Sequence, residues 1–148
     1  MSRIKHALLP YFQPEGIEAG LDEAGRGCLA GPVVAAAVIL PKDFHDKLLT
    51  DSKQLNAKQR QQLIEVVKNY AIDYAIAEVD HAMIDQINIY KASVMAMHLA
   101  VDKLRIKPEH LLVDGNRFIS YPFIQHTCVV KGDSKYFSIA AASILAKT

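Results

Sequence analysis

The chain has 148 residues, the length of one average domain, so a single packed core is expected. It is 51% hydrophobic and 22% charged with 7 Gly and 6 Pro, which excludes disordered, collagen-like and low-complexity chains because those lack the apolar surface that offsets ordering entropy. The 17 Lys and Arg nearly balance the 16 Asp and Glu, and the net charge of +1 argues against a polybasic tail but leaves room for a local basic patch.

The sequence shows no membrane or secretion signal. Its longest apolar stretch, Leu29 to Leu40, is interrupted by Gly31 and Pro32, whereas a bilayer span needs roughly 20 apolar residues. Cys28 and Cys128 have no CxxC spacing, which excludes a disulfide framework and a thiolate zinc site. We therefore expect a cytoplasmic protein with two free thiols, no membrane partner and a monomeric state.

The predicted elements begin after a short N-terminal arm. Residues 1–15 form this arm, and no repeat or linker divides residues 16–148, which we take as one core. Two apolar segments, Gly16–Asp22 and Pro32–Leu40, flank a glycine-bearing turn and predict a hairpin of two strands.

A helix and a third strand follow the hairpin. Asn56 and Gln59 have the spacing of a capping box, which predicts a helix from about Ala57 to Asn69. The segment Ala71–Val79 alternates between two faces and is typical of a strand.

Helices and short apolar runs alternate in the second half of the chain. A stripe at helical spacing ends before Pro108 and consists of Tyr90, Val94, Met97, Val101 and Leu104. Leu111–Val113 and Thr127–Val130 are typical of buried strands, and the Ala-rich Ser138–Lys147 is typical of a buried helix. The order predicts an α/β domain, a mixed five-stranded sheet with helices on both faces.

Four acids lie at the ends of predicted strands: Asp22, Glu23, Asp114 and Asp133. The carboxyl ends of neighbouring strands in an open α/β sheet meet at one crevice, where crowded carboxylates repel one another unless cations lie between them. Carboxylate oxygens suit Mg²⁺ or Mn²⁺, and two such ions can drive phosphodiester hydrolysis. Spacing alone leaves open the alternative that these acids are ordinary turn or helix-capping residues.

The turn Gly25-Arg26-Gly27 is a second candidate site. It is no dinucleotide fingerprint, because its third glycine is one place late and a strand follows it instead of a helix. Small glycines and a cation suit contact with a nucleic-acid backbone, and a tight hairpin turn with a solvated Arg26 is the alternative. A local excess of basic residues permits a phosphate-contacting edge near Ser52 and Lys53, or a merely solvated surface.

Several long segments resemble one family, bacterial ribonuclease HII, the type 2 ribonuclease H. They occur in the family's order from Gly16 to the last residues. The segments are Gly20-Leu21-Asp22-Glu23-Ala24-Gly25-Arg26-Gly27, Leu29 to Val38, Asp51-Ser52-Lys53-Gln54-Leu55, Leu112-Val113-Asp114-Gly115-Asn116, and Val130-Lys131-Gly132-Asp133 leading into Ser138 to Lys147.

The resemblance implies an RNase H-like fold and an endonuclease that cuts RNA in hybrids with DNA, and ribonucleotides embedded in duplex DNA on their 5′ side. The family's metal-binding catalytic acids match the four acids named above. Its segment that senses the 2′-hydroxyl matches Gly25, Arg26 and Gly27. Positions near the nucleic-acid backbone match Ser52, Lys53 and Lys131.

The resemblance also implies a truncation, because the family continues beyond this last helix into further C-terminal helices that carry a junction-recognising tyrosine. Two alternatives therefore stay open. One is a nucleic-acid-binding fragment that does not cleave, and the other is a different RNase H-like nuclease, such as a resolvase or transposase core.

Overall fold

The computed structural model describes residues 8–25, 31–50 and 55–147, and these form a five-stranded mixed sheet. The strands are β1 (Glu18–Ala24), β2 (Val33–Ile39), β3 (Asp73–Val79), β4 (His110–Asp114) and β5 (Gln125–Val129). Their order across the sheet is β3-β2-β1-β4-β5. β2 runs antiparallel to both β1 and β3, whereas β4 runs parallel to both β1 and β5. The predicted mixed sheet is confirmed.

Helices cover both faces of the sheet, as predicted. They are α1 (Lys47–Thr50), α2 (Ala57–Tyr70), α3 (His81–Ile87), α4 (Ile89–Lys103) and α5 (Phe137–Ala146). α4 and α3 pack on one face, where the core includes Leu21, Met97 and Val113. α1, α2 and α5 pack on the other, where the core includes Leu63 and Phe137. Two separate apolar layers therefore stabilise the sheet.

α5 packs directly on β1. A Cβ added to Gly20 would lie 2.3 Å from the backbone carbon of Ser138 and 2.6 Å from the backbone nitrogen of Ile139. α5 is buried along its whole length, which explains why its sequence is apolar nearly all round. The close approach places the α5 side chains beside the carboxyl end of β1.

The sequence located every strand and the three longer helices. The capping box is confirmed, since the Asn56 side chain accepts from the Gln59 backbone N–H and the Gln59 side chain accepts from that of Asn56. The short helices α1 and α3 went unpredicted, as did a 3-10 turn at Gly132–Ser134. α3 has no buried residue, so it lacks the apolar periodicity that a sequence reading needs.

No helix in the described ranges is long and apolar enough to cross a membrane.

Candidate functional site

The four candidate acids lie at the carboxyl ends of the neighbouring strands β1, β4 and β5. The parallel register pairs Leu21 with Val113, so the residues that follow them, Asp22 and Asp114, lie side by side. Glu23 is next to Asp22 on β1, and Asp133 is in the 3-10 turn that follows β5. Topology therefore brings together acids that are distant in the sequence.

Burial and mutual repulsion favour the protonated form of the innermost acids. Asp22 is only 6% exposed, and its pKa is raised to about 8 by burial, then by the charges of Asp114 and Glu23. The pKa of Asp114 is raised as well, by burial and by the charge of Asp133. Without a cation, this cluster holds protons that carboxyl groups normally release near pH 4.

Hydrogen bonds hold the two central acids in place. Asp22 Oδ1 accepts from the Glu23 backbone N–H at 2.8 Å, and the Asp22 carboxyl also bonds to the Ser143 hydroxyl. Asp114 Oδ1 accepts from the Gly132 backbone N–H at 2.8 Å. The sequence analysis missed Ser143, although a polar residue in the middle of a largely apolar helix was a signal that could have identified it.

Glu18, at the other end of β1, is a buried acid whose charge is compensated by nearby donors, and it serves as a comparison for Asp22. It is 7% exposed and accepts from the backbone N–H groups of Phe12 at 2.9 Å and Gln13 at 2.5 Å. The Lys42 ammonium lies 3.9 Å away. Partners of this kind compensate the buried charge of Glu18, whereas the Asp22 cluster has mainly other acids beside it.

The donor set of the cluster fits divalent cations. Four carboxyl groups supply hard oxygen ligands, and cations between them would relieve the repulsion that raises the pKa values. In the described ranges no three His, Cys, Asp or Glu side chains are grouped closely enough to hold one ion. Ion binding would therefore require the carboxyl groups to lie closer together than they do here.

Two of the predicted substrate-binding residues are described. Gly25 has φ +93°, and a Cβ there would lie 2.4 Å from the Pro32 carbonyl oxygen, so this position requires glycine for both conformation and space. Lys131 is exposed beside the turn that carries Asp133, and it has φ 54°. The predictions for Arg26, Gly27, Ser52 and Lys53 lie outside the described residues.

A cavity of about 250 Å³ adjoins the acids and contains residues that the sequence analysis did not assign to a site. Glu23 and Asp114 form part of its wall. The remaining lining residues come from the first half of α4 and the loop after β4, and include Tyr90, Ser93, Asn116 and Arg117. The helical stripe had assigned Tyr90 to the core, but it is half-buried and its ring lies 4.0 Å from the Arg117 guanidinium carbon.

A larger cavity lies at the opposite end of β4. It has a volume of about 810 Å³ and its wall includes Asp102, hydrogen-bonded to the Tyr121 hydroxyl. None of the four candidate acids lines it. Size alone therefore does not identify the site in this fold.

Comparison with known sequences assigns the family. The family model described as Ribonuclease HII matches residues 19–148. Ribonuclease HII of Bacteroides thetaiotaomicron is 64% identical over 141 residues, which cover 95% of this chain and 70% of that protein. Ribonuclease HII of Cytophaga hutchinsonii is 57% identical, with coverage of 96% and 71%.

Solved structures show the same fold. Ribonuclease H2 from Pyrococcus horikoshii superposes with a TM-score of 0.77 at 30% identity, covering 88% of this chain and 70% of that one. The ribonuclease HII of a PCNA complex from Archaeoglobus fulgidus gives a TM-score of 0.69 at 30% identity, with coverage of 88% and 71%. The fold, the acids at the strand ends and the sequence matches agree, and the chain belongs to the ribonuclease HII family of divalent-metal-dependent ribonucleases H.

Proposed function

We propose that this chain cleaves the RNA strand of RNA–DNA hybrids, and ribonucleotides embedded in duplex DNA, by hydrolysis on the 5′ side of the ribonucleotide. The observation that carries the proposal is the pair formed by the buried Asp22 and the half-buried Asp114, flanked by Glu23 and Asp133 at the carboxyl ends of the strands. Membership of the ribonuclease HII family supports the same reaction class.

The four acids Asp22, Glu23, Asp114 and Asp133 are the proposed catalytic residues and would hold Mg²⁺ or Mn²⁺. Divalent ions at this site would neutralise the scissile phosphate and activate a water molecule for attack. The Ser143 hydroxyl interacts with the Asp22 carboxyl, and the Gly132 backbone N–H donates to Asp114. Asp22 and Asp114 are thus held in place before an ion binds.

The residues proposed to contact the substrate surround the acids. Because Gly25 has no side chain, the backbone at Pro32 can lie close to the end of β1. The resemblance assigns recognition of the 2′-hydroxyl to Gly25, Arg26 and Gly27. Ser52, Lys53 and Lys131 are proposed to contact the nucleic-acid backbone. The 2′-hydroxyl is then a recognition group, while the nucleophile is water. The monomeric state and the cytoplasmic location stay predictions.

A cleavage assay on three matched duplexes tests the proposal. Each duplex carries, at one position, a ribonucleotide, a 2′-O-methyl ribonucleotide or a deoxyribonucleotide, and each is incubated with Mg²⁺, with Mn²⁺ or with a chelator. We expect cleavage of the ribonucleotide duplex alone, on its 5′ side, and only with a divalent ion. Equal cleavage of the deoxyribonucleotide duplex, or cleavage in the chelator, would contradict the proposal.

The product ends separate water attack from attack by the 2′-hydroxyl. Hydrolysis by water leaves a 3′-hydroxyl and a 5′-phosphate, which mass spectrometry of the fragments identifies. A 2′,3′-cyclic phosphate would show that the 2′-hydroxyl is the nucleophile. Salt-dependent binding of the duplex without any cleavage would instead favour the nucleic-acid-binding fragment, and cuts at DNA branch points would favour a resolvase-like nuclease.

A further inference from the structure

The cavity beside the catalytic acids contains a positioned cation. The guanidinium carbon of Arg117 lies 4.0 Å from the centroid of the Tyr90 ring. Stacking on an aromatic face positions an arginine while leaving the N–H groups at its edge free to donate. Within the described ranges Arg117 has no hydrogen bond or ion pair, so its donors are available to a ligand.

A second, independent observation comes from Ser93 on the same wall. Ser93 is 2% exposed, and its hydroxyl is the buried side-chain polar atom without a hydrogen-bond partner in the described part of the chain. A buried hydroxyl without a partner costs stability, so such groups are characteristic of sites that are completed by a ligand or an ordered water.

The other lining groups favour an anionic ligand with acceptor oxygens. The Asn116 side chain adds an amide, and Tyr90 and Ser93 lie near the N-terminal end of α4, where the helix dipole attracts negative charge. Glu23 and Asp114 border the cavity and repel anions, so divalent ions at the acids would strengthen anion binding here.

We propose that the cavity lined by Tyr90, Ser93, Asn116 and Arg117 binds a backbone phosphate of the nucleic acid, next to the scissile phosphate. The inference deepens the proposed function and rests on it. Arg117 supplies the charge and a planar fork of donors, Tyr90 holds its guanidinium in place, and Ser93 lies on the same wall with an unpaired hydroxyl. A volume of about 250 Å³ has room for a phosphate group with its ester oxygens.

Equilibrium binding tests this site separately from turnover. The probe is a DNA duplex with one ribonucleotide, titrated in Mg²⁺ onto a chain that carries Asp133→Asn, because Asp133 does not line the cavity. Gel analysis of the recovered probe verifies that it is uncut. The dissociation constant is measured at several salt concentrations for Arg117→Met and for the matched control Arg105→Met. Arg105 is exposed and its backbone N–H binds Asp73, at the opposite end of the sheet.

We expect Arg117→Met to weaken binding about tenfold and to make the slope of log affinity against log salt shallower by about 0.9, the value for one lost phosphate contact. Arg105→Met should change neither quantity. Equal slopes for the two variants would overturn the proposal, as would failure of the parent chain to bind the duplex.

Variants of Tyr90 and Ser93 test the two supporting residues. Tyr90→Phe keeps the aromatic face and should keep the affinity, whereas Tyr90→Leu should weaken binding roughly twofold to fivefold. Ser93→Ala should weaken binding without lowering the melting temperature of the free chain, because it removes a hydroxyl that has no partner there. A lower melting temperature with unchanged affinity would assign Ser93 a structural role and refute its place in the site.

The two proposals fail in different ways. Suppose that the unsubstituted chain does not cleave the duplex, but Arg117→Met still changes the dependence of binding on salt. The phosphate site then stands and the proposed function fails. If the unsubstituted chain cleaves the duplex but Arg117→Met leaves the salt dependence of binding unchanged, the proposed function stands and the phosphate site fails.

Discussion

Asp114 Oδ1 accepts a hydrogen bond from the Gly132 backbone N–H at 2.8 Å. The bond joins the end of β4 to the start of the turn that carries Asp133, so two of the candidate catalytic acids are positioned by one contact. A side-chain amide at position 114 would still accept this bond, which allows the charge of Asp114 to be removed without breaking the connection.

We predict that Asp114→Asn abolishes cleavage but raises the melting temperature of the metal-free chain. The substitution removes one charge from a cluster in which burial and repulsion already raise the pKa of Asp22 and Asp114. The gain should vanish in saturating Mg²⁺, because ion binding stabilises the unsubstituted chain by mass action. Differential scanning calorimetry with and without Mg²⁺ measures both effects.

Asp85→Asn is the matched control for this prediction, since Asp85 is an exposed acid on α3. It should leave both the cleavage rate and the melting temperatures unchanged. Retention of cleavage by Asp114→Asn would remove Asp114 from the catalytic site.

The raised pKa of Asp22 predicts how the metal-free stability depends on pH. Because the folded chain keeps a proton up to about pH 8 that the unfolded chain releases near pH 3.8, the free energy of unfolding should fall as pH rises between those values. The effect is on the order of a few kcal/mol. Urea unfolding at pH 5.5 and pH 8.5, with a chelator present, measures it.

Asp22→Asn should remove most of this fall in stability. The pKa of His110 is lowered by burial, so His110 changes stability in the opposite direction as pH rises through its range, and comparison of the two chains cancels that contribution. In Mg²⁺ the stabilisation should be larger at pH 8.5 than at pH 5.5, because the ion binds the deprotonated carboxylates. A Mg²⁺ effect independent of pH would contradict the carboxylate site.

We predict that Gly20→Ala destabilises the chain by several kcal/mol, more than Gly115→Ala does. The added Cβ at position 20 would lie 2.3 Å from the backbone carbon of Ser138 in α5. A helix backbone cannot move aside as the end of a flexible side chain can, so the overlap is costly. At position 115 no atom lies within 4 Å among those described, and the cost comes from φ +112°, roughly 1–2 kcal/mol. Chemical denaturation of both variants gives the comparison, and equal losses would contradict direct packing of α5 on β1.

Lys131 allows substrate binding to be separated from stability. Its φ of 54° is a left-handed conformation that costs a side-chain residue about 1 kcal/mol relative to glycine. Lys131→Gly should therefore leave the melting temperature unchanged or slightly higher while it weakens binding of the hybrid duplex and reduces the salt slope. Lys135→Gly, a change at an exposed lysine after the same turn, is the control. Unchanged duplex affinity in Lys131→Gly would refute the substrate contact.

Most of the fold was accessible from the sequence because its signals are local. The apolar alternation of Ala71–Val79 and the Asn56 capping box report directly on the backbone they belong to. α1 and α3 were missed because helices of four and seven residues span too few turns to show a periodicity.

The site was accessible only in part, because it depends on contacts between distant segments. The strand-end argument selected Asp22 and Asp114, and parallel pairing of β1 with β4 places them side by side. Arg117 and Tyr90 belong to different segments whose stacking no local pattern reports. The same holds for Ser93, since helical spacing reveals that a residue is buried but not that its hydroxyl lacks a partner.

The parallel pairing of β1 with β4 also has a consequence for synthesis of the chain on the ribosome. β1 and β2 can pair as soon as the hairpin has emerged, but Asp22 acquires its neighbour only after the whole segment through α4 and β4 has been made. Asp133 comes later still, and α5, which packs on β1, follows it. A nascent chain therefore displays one half of the acid cluster long before the other, and the four acids can come together only after the turn that follows β5 has been synthesised.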